Sequence, residues 1–164
     1  MTAEIPRVVC DCNIFLQAVI NEDGPAFACI SLVDSGQITL LLSPEVLAEA
    51  KDVLHRPKLQ RKFPNLTPAR VQEFLEHLEG NAVIIAAVPR VFTLERDPKD
   101  EIYVNLAIAA GATHLVSRDK DLLDLMNESD FRSRFPGLII LDPVAFLHEL
   151  SRADQTEQGS ESSP

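Results

Sequence analysis

The sequence predicts an α/β domain: three layers, α/β/α, built on a central parallel sheet of about five strands. Three observations predict it. Short apolar runs rich in β-branched residues recur along the chain without clean alternation, which suits strands buried on both faces. Helical segments separate those runs, and that order argues for parallel strands joined by crossover helices. The chain has 164 residues, 46% of them hydrophobic, enough for one domain with a real core and too few for two.

"RVVCDCN" (residues 7–13) is the first strand, an apolar run that ends at a carboxylate. "FLQAVI" and "PAFACISLVDSG" read as helices, with Gly36 as a stop. "QITLLLS" (37–43) is a second buried strand. In "SPEVLAEAKDVLHRP" Ser43 is the N-cap and Pro44 the first helical residue, and Pro57 ends or bends the helix. "LTPARVQEFLEHLEG" repeats that logic with Thr67, Pro68 and a stop at Gly80. "AVIIAAV" (82–88) is the third strand. Asp100 to Ala110 is a helix apolar nearly all round, hence buried on most sides, and Gly111 ends it. "THLVS" (113–117) is the fourth strand and "KDLLDLMN" a short helix. "GLIIL" (137–141) is the fifth strand, and "DPVAFLHEL" the last helix, capped by Asp142. The globular domain is read as residues 1–150, and the small polar residues of 151–164 as a disordered tail.

Composition narrows the function. The formal net charge is -10, which counts against a module that grips nucleic acid by electrostatics alone. It does not count against an acidic metal site, where divalent cations cancel carboxylates. Cys10, Cys12 and Cys29 show no metal-ligand spacing and read as reduced thiols of a cytoplasmic protein. No signal segment opens the sequence, and no apolar run approaches the roughly 20 residues that span a membrane.

The acids are placed by the fold. In open α/β sheets ligands bind outside the carboxyl ends of the strands. Asp11 follows strand one, Asp119 and Asp121 follow strand four, and Asp100 opens the helix leading into strand four. On a helical wheel of about 100° per residue, Glu49 falls at the rim of the apolar arc formed by Val46, Leu47, Ala50, Val53 and Leu54. Asp11, Glu49, Asp100 and Asp119 therefore converge on one edge of the sheet. Carboxylates at such range repel, and some would be forced to protonate. Hard divalent cations remove the conflict, and oxygen-only ligands favour Mg²⁺ or Mn²⁺ over zinc. Two such ions about 3.5–4 Å apart are the arrangement of in-line phosphodiester cleavage.

With these residues in order, the sequence resembles the PIN-domain family, the fold of VapC-type toxins and related ribonucleases. The resemblance covers about residues 7–150. The family opens with an apolar strand and D-T-N or a variant, here "VVCDCNIFLQA". Its helix glutamate is matched by Glu49. Its aspartate about eleven residues before a glycine is matched by Asp100 before Gly111, and its T-x-D-x-D by "SRDKD". The stretch "DPKDEIYVNLAIAAGATHLVSRDKDLL" resembles the branch described as toxin components of toxin–antitoxin pairs. Cys12 stands where a small hydroxyl residue is usual, and Ser117 where threonine is commoner.

The resemblance implies an Mg²⁺- or Mn²⁺-dependent endoribonuclease that hydrolyses RNA, the toxin of a type II pair, forming a homodimer and blocked by a cognate antitoxin. It implies that Asp11, Asp100 and Asp119 ligate metal and that Glu49 completes the site directly or through water. Asp121 would be an auxiliary acid, and Asn13 and Ser117 would orient ligands or water. Metal-activated water would be the nucleophile and metal the Lewis acid. Arg56, Lys58, Arg61 and Lys62 form the one basic island, and Arg118 and Lys120 flank Asp119; these six are the candidate RNA contacts. Asp97 and Glu101 read instead as turn and helix-start residues favoured by the helix dipole.

Blander readings stand beside these. Asp11 and Asp100 could each be only a helix cap, Glu49 a solvated acid, and the basic island a solvated surface. A receiver domain would need a lysine after strand five, and "LIILDPVAF" has none. An aspartate-nucleophile phosphatase wants D-x-D after strand one, which "DCN" fails, and none of the six glycines forms a phosphate loop. The rival from another class is a PIN fold without activity, serving as a metal- or protein-binding module.

Overall fold

The computed structural model describes residues 4–161. Five strands, β1 (Arg7–Cys10), β2 (Thr39–Leu42), β3 (Val83–Ile84), β4 (His114–Val116) and β5 (Ile139–Leu141), form one parallel sheet in the order β3-β2-β1-β4-β5. β1 and β4 are neighbours, with Val8 opposite His114 and Cys10 opposite Val116, so Asp11 and Asp119 leave the same edge of the sheet. Strand order reverses at β1, the place where an open α/β sheet leaves a crevice.

The helices are α1 (Cys12–Ile20), α2 (Pro25–Asp34), α3 (Pro44–Leu54), α4 (Pro57–Lys62), α5 (Pro68–Asn81), α6 (Glu101–Ala110), α7 (Lys120–Leu123), α8 (Ser129–Arg134) and α9 (Pro143–Glu161). Their starts follow the sequence signals. Ser43 Oγ accepts the Val46 N–H at 3.1 Å, and Thr67 Oγ1 accepts that of Arg70 at 3.2 Å. Gly111 closes α6 in the left-handed conformation, φ 64°, which other residues adopt only with strain.

The central strands are dry. Val8, Val9, Leu40, Leu41, Leu42, Leu115 and Val116 have no solvent exposure. Helix α6 lies across β1, β2 and β4, which is why it is apolar nearly all round. On the helical side, α1 packs on α2 and α2 on α9. All three cysteines are buried free thiols. Among the described residues no helix is long and apolar enough to cross a membrane.

Five elements differ from the sequence reading. The third strand pairs only over Val83–Ile84, because its partner β2 ends at Leu42, where Ser43 begins a helix. It is an edge strand with both residues exposed, not a doubly buried one. Pro57 does not bend α3; it opens the separate helix α4, with Arg56 extended before it. Helix α8 was not foreseen, and α5 runs one residue past Gly80. The expected disordered tail is mostly helix, since α9 continues to Glu161. Its residues 151–156 are exposed, as their polarity requires. Burial is not needed to prolong a helix already nucleated, and no proline or glycine interrupts residues 151–158. Residues 162–164 of that segment lie outside the described residues.

Candidate metal centre

The carboxyl end of β1 and β4 is built from caps. Asp11 follows β1 directly and is buried. Its Oδ1 accepts the N–H groups of Asn13 at 3.0 Å and Ile14 at 3.2 Å, so it caps α1. Its Oδ2 accepts the Ser117 hydroxyl. Ser117, wholly buried at the end of β4, in turn accepts the Asp119 N–H at 2.9 Å. Asp119 caps α7 through the N–H groups of Asp121 (2.8 Å) and Leu122 (3.3 Å). One serine hydroxyl thus ties the loops after two neighbouring strands.

The third segment arrives from across the sheet. Asp97 caps a 3₁₀ turn, Pro98–Asp100, which leads into α6. One helical turn places residues three apart on the same side, so Asp97 and Asp100 face together. Oxygen atoms of Asp97, Asp100 and Asp119 all lie within 4.8 Å of one another. Asp100 stands at the cap position of α6 yet makes no capping bond, and its Oδ2 is buried without a partner among the described residues. The reading of Asp100 as a mere cap is therefore dropped. Burial is the first cause that lifts its carboxyl, to about 8, followed by the charges of Asp119, Asp97 and Asp11 and by a contact with Asp119 that becomes a hydrogen bond when one of the two carboxyls holds a proton. Burial also raises Asp11, against the lowering pull of Ser117, Ile14 and Asn13.

The other candidates are less central. Glu49 is half-buried on α3, one turn in from its start. Its charge, with those of Asp11 and Asp100, bears on Cys12, whose thiol is pushed to about 11 mainly by burial. The Cys12 N–H donates to the hydroxyl of Tyr103 on α6 at 3.2 Å. Asp121 gives Asp119 its backbone N–H, and its carboxylate is not part of the three-aspartate cluster. Asn13 is exposed and serves Asp11 through its backbone. Arg118 borders a cavity with Asp142 and Val144, and Lys120 is exposed at the start of α7. Arg56, Lys58, Arg61 and Lys62 are exposed on and before α4; Arg56 pairs with Asp52 at 3.2 Å, and Lys62 lies over the Phe63 ring.

Sequence reasoning missed two kinds of residue. Asp97 is a member of the cluster rather than only a turn residue, and the D-P-K-D spacing carried that signal. Glu101 and Asn105 hold the loop that precedes it. Asn105 Oδ1 accepts the N–H groups of Val91 and Phe92, both at 2.9 Å, and its Nδ2 donates to the Phe92 carbonyl at 3.0 Å. Glu101 accepts the Leu94 N–H at 2.9 Å and pairs with Arg90 at 3.2 Å. A buried asparagine and glutamate one turn apart in an apolar helix were the available sign.

Residues 7–121 match the family model of the PIN domain. The chain belongs to the PIN-domain family. That match contains every carboxylate of the candidate centre, from Asp11 to Asp121. The chain is 30% identical over 147 residues to an uncharacterised protein of Methanocaldococcus jannaschii, MJ1680, covering 89% of this chain and 92% of that one. Two solved structures share the PIN fold at low identity. VapBC2 from Rickettsia felis, bound to a DNA fragment from its promoter, aligns with TM-score 0.53 at 18% identity over 83% of this chain and 98% of that one. PAE2754 from Pyrobaculum aerophilum aligns with TM-score 0.56 at 16% identity over 90% of each.

Proposed function

We propose that this PIN-domain protein is a metal-dependent endoribonuclease hydrolysing RNA phosphodiester bonds, and the toxin of a type II toxin–antitoxin pair. The observation that carries the reading is the buried, unpartnered oxygen of Asp100, gathered with Asp97 and Asp119 at the switch point of the sheet. Three carboxylates so close need cations, and all-oxygen donors fit Mg²⁺ or Mn²⁺. Asp97, Asp100 and Asp119 would hold the ion, with Asp11, Glu49 and Asp121 as further acids around it. A divalent cation bound there would supply Lewis acidity at the phosphate and a water of lowered pKa.

The chain's own residues set the stage. Ser117 fixes the relative placement of Asp11 and Asp119 through its two hydrogen bonds. Tyr103 anchors the first turn of α1 beside Asp11. Asn105 and Glu101 hold the loop that delivers Asp97. The exposed basic residues of α4, with Arg118 and Lys120, would meet substrate phosphates.

The toxin assignment draws on the motif resemblance and on the fold shared with VapBC2. It implies an antitoxin that covers the acidic groove, a homodimer, and work in a reducing cytoplasm, where three free thiols are at home.

The test is cleavage of a mixed single-stranded RNA pool with Mg²⁺ or Mn²⁺ by the wild type, Asp11→Asn and Asp119→Asn. Metal-dependent cutting lost in both variants supports the reading. A wild type that gains thermal stability from metal yet cuts nothing points to the binding-module alternative. Absence of any metal-dependent change in melting would sink the centre itself.

A further inference from the structure

A second polar recess adjoins the carboxylates. It is a cavity of about 260 Å³ between the start of α3 and the start of α6, and its wall includes Pro98 and Glu101, which bracket Asp100. We infer that this recess is a subsite for one nucleotide of single-stranded RNA beside the cleaved phosphate, with Arg90 as its contact residue. The inference rests on the ribonuclease reading of the neighbouring centre and names how that centre would grip its substrate.

Size is the first argument. The volume lies below the roughly 300–1,000 Å³ of clefts that enclose a whole small ligand, so it suits one unit of a polymer. Chemistry is the second. Val88 and Ile102 give apolar wall, while Ser43, Arg90 and Asn105 bring hydrogen-bond donors. Those donors are underused among the described residues. Ser43 Oγ accepts from Val46 and donates to nothing. Asn105 Nδ2 carries two hydrogens and gives one, to Phe92. Arg90 carries five N–H donors and spends one bond, on Glu101, while its side chain is 80% exposed. Donors of this kind fit the carbonyl and ring-nitrogen edges of an unpaired base, on which a planar guanidinium can also stack.

Charge is the third argument. A chain of net charge -10 must bring a polyanion against an acidic centre, and among the described residues Arg90 is the one cation on a wall that also carries Glu45 and Glu101, so an RNA contact here falls on Arg90. Position is the fourth. The loop carrying Arg90 is the loop that delivers Asp97, and the Asn105 and Glu101 bonds fasten both to α6. A base held by Arg90 would therefore be registered against the carboxylates by a short, fixed path.

Two measurements test the subsite together. Binding of a labelled single-stranded RNA is read by fluorescence anisotropy with Asp119→Asn protein in Mn²⁺, alone and combined with Arg90→Ala. Cleavage kinetics are read with the wild type, Arg90→Ala and Arg90→Lys. The expected result is about tenfold weaker binding without Arg90, a matching rise in KM with kcat unchanged, and partial recovery with lysine. A fall in kcat at unchanged KM would show Arg90 to be only a brace for the Asp97 loop and would overturn the subsite. Unchanged binding, or no RNA binding by any variant, would overturn it too. Arg90-dependent binding by a wild type that never cuts would leave the subsite standing and remove the ribonuclease reading instead.

Discussion

The two ends of the β1–β4 strand pair solve the burial of polar groups in opposite ways. At the amino end, Thr113 Oγ1 accepts the Arg7 N–H at 3.0 Å and donates to the Arg7 carbonyl at 3.1 Å. His114 reaches the same oxygen through Nδ1 at 2.7 Å and Glu149 of α9 through Nε2 at 2.8 Å, and the Arg7 guanidinium donates to the Ala110 carbonyl. Each of these groups has a hydrogen-bond partner. At the carboxyl end, a few residues along the same strands, like charges are gathered and Asp100 keeps a buried oxygen unpaired. The first end adds to stability. The second costs stability, and a fold keeps such a cost where function lies.

Removing charge from the unpaired end should therefore separate activity from stability, and this is the largest effect expected. Asp119→Asn keeps a capping side chain but should lower cleavage by more than the ~10–100-fold typical of outer partners of a metal. Asp100→Asn should be as inactive, yet melt higher than the wild type at pH 8 without metal. The rise would be about 2–4 °C for each kcal/mol of repulsion removed. Parallel cleavage assays and calorimetry check both. An Asp100→Asn protein that melts lower would break the comparison, because it would show Asp100 to be satisfied after all.

Ser117→Ala probes the one tie between the two acids of that end. Losing its hydroxyl leaves buried Asp11 Oδ2 without its donor and Asp119 N–H without its acceptor. The expected cost is about 1–3 kcal/mol in urea unfolding together with a ~10–100-fold fall in cleavage. At the amino end, Thr113→Val should cost a similar ~1–3 kcal/mol, since it strands the Arg7 N–H, and leave the kcat of the native fraction unchanged. Equal effects of the two variants on kcat would erase the distinction between the ends.

Much of this contrast was written in the sequence, and what was not had a physical reason. The positions of Asp11 and Asp119 were legible because each comes within three residues of the end of an apolar strand, and their neighbourhood needed only the pairing of β1 with β4. The half-buried position of Glu49 was legible from the helical wheel. The loop of residues 85–97 has no period, so nothing local says that Asn105 and Glu101 will hold it, and Asp97 hid inside a turn signal. Edge position, not composition, shortened β3 and exposed it. Helices α4 and α8 are six residues each, too short to show a hydrophobic face. The polarity of residues 151–156 signalled exposure correctly, but exposure does not decide between a solvated helix and an irregular chain.

The smallest effect, and the sharpest on sign, is the pH dependence of the metal-free protein. Asp100 ordinarily titrates near 3.8 and is lifted to about 8 in the folded protein, first by burial and then by the charges of Asp119, Asp97 and Asp11. Between those values the folded state holds a proton that the unfolded state has released, so stability falls as pH rises through the window. The contribution is full below the ordinary carboxylate range and gone above pH 8. Partial exposure of the group discounts its size, so the readout is a modest downward drift of the urea midpoint from pH 5 to pH 8. Asp100→Asn should flatten that drift. Mn²⁺ should reverse it, because metal displaces the shared proton and binds more strongly as pH rises. A wild-type midpoint that climbs with pH in the absence of metal would mean that these carboxylates are already paired, and the two ends of the strand pair would then be alike.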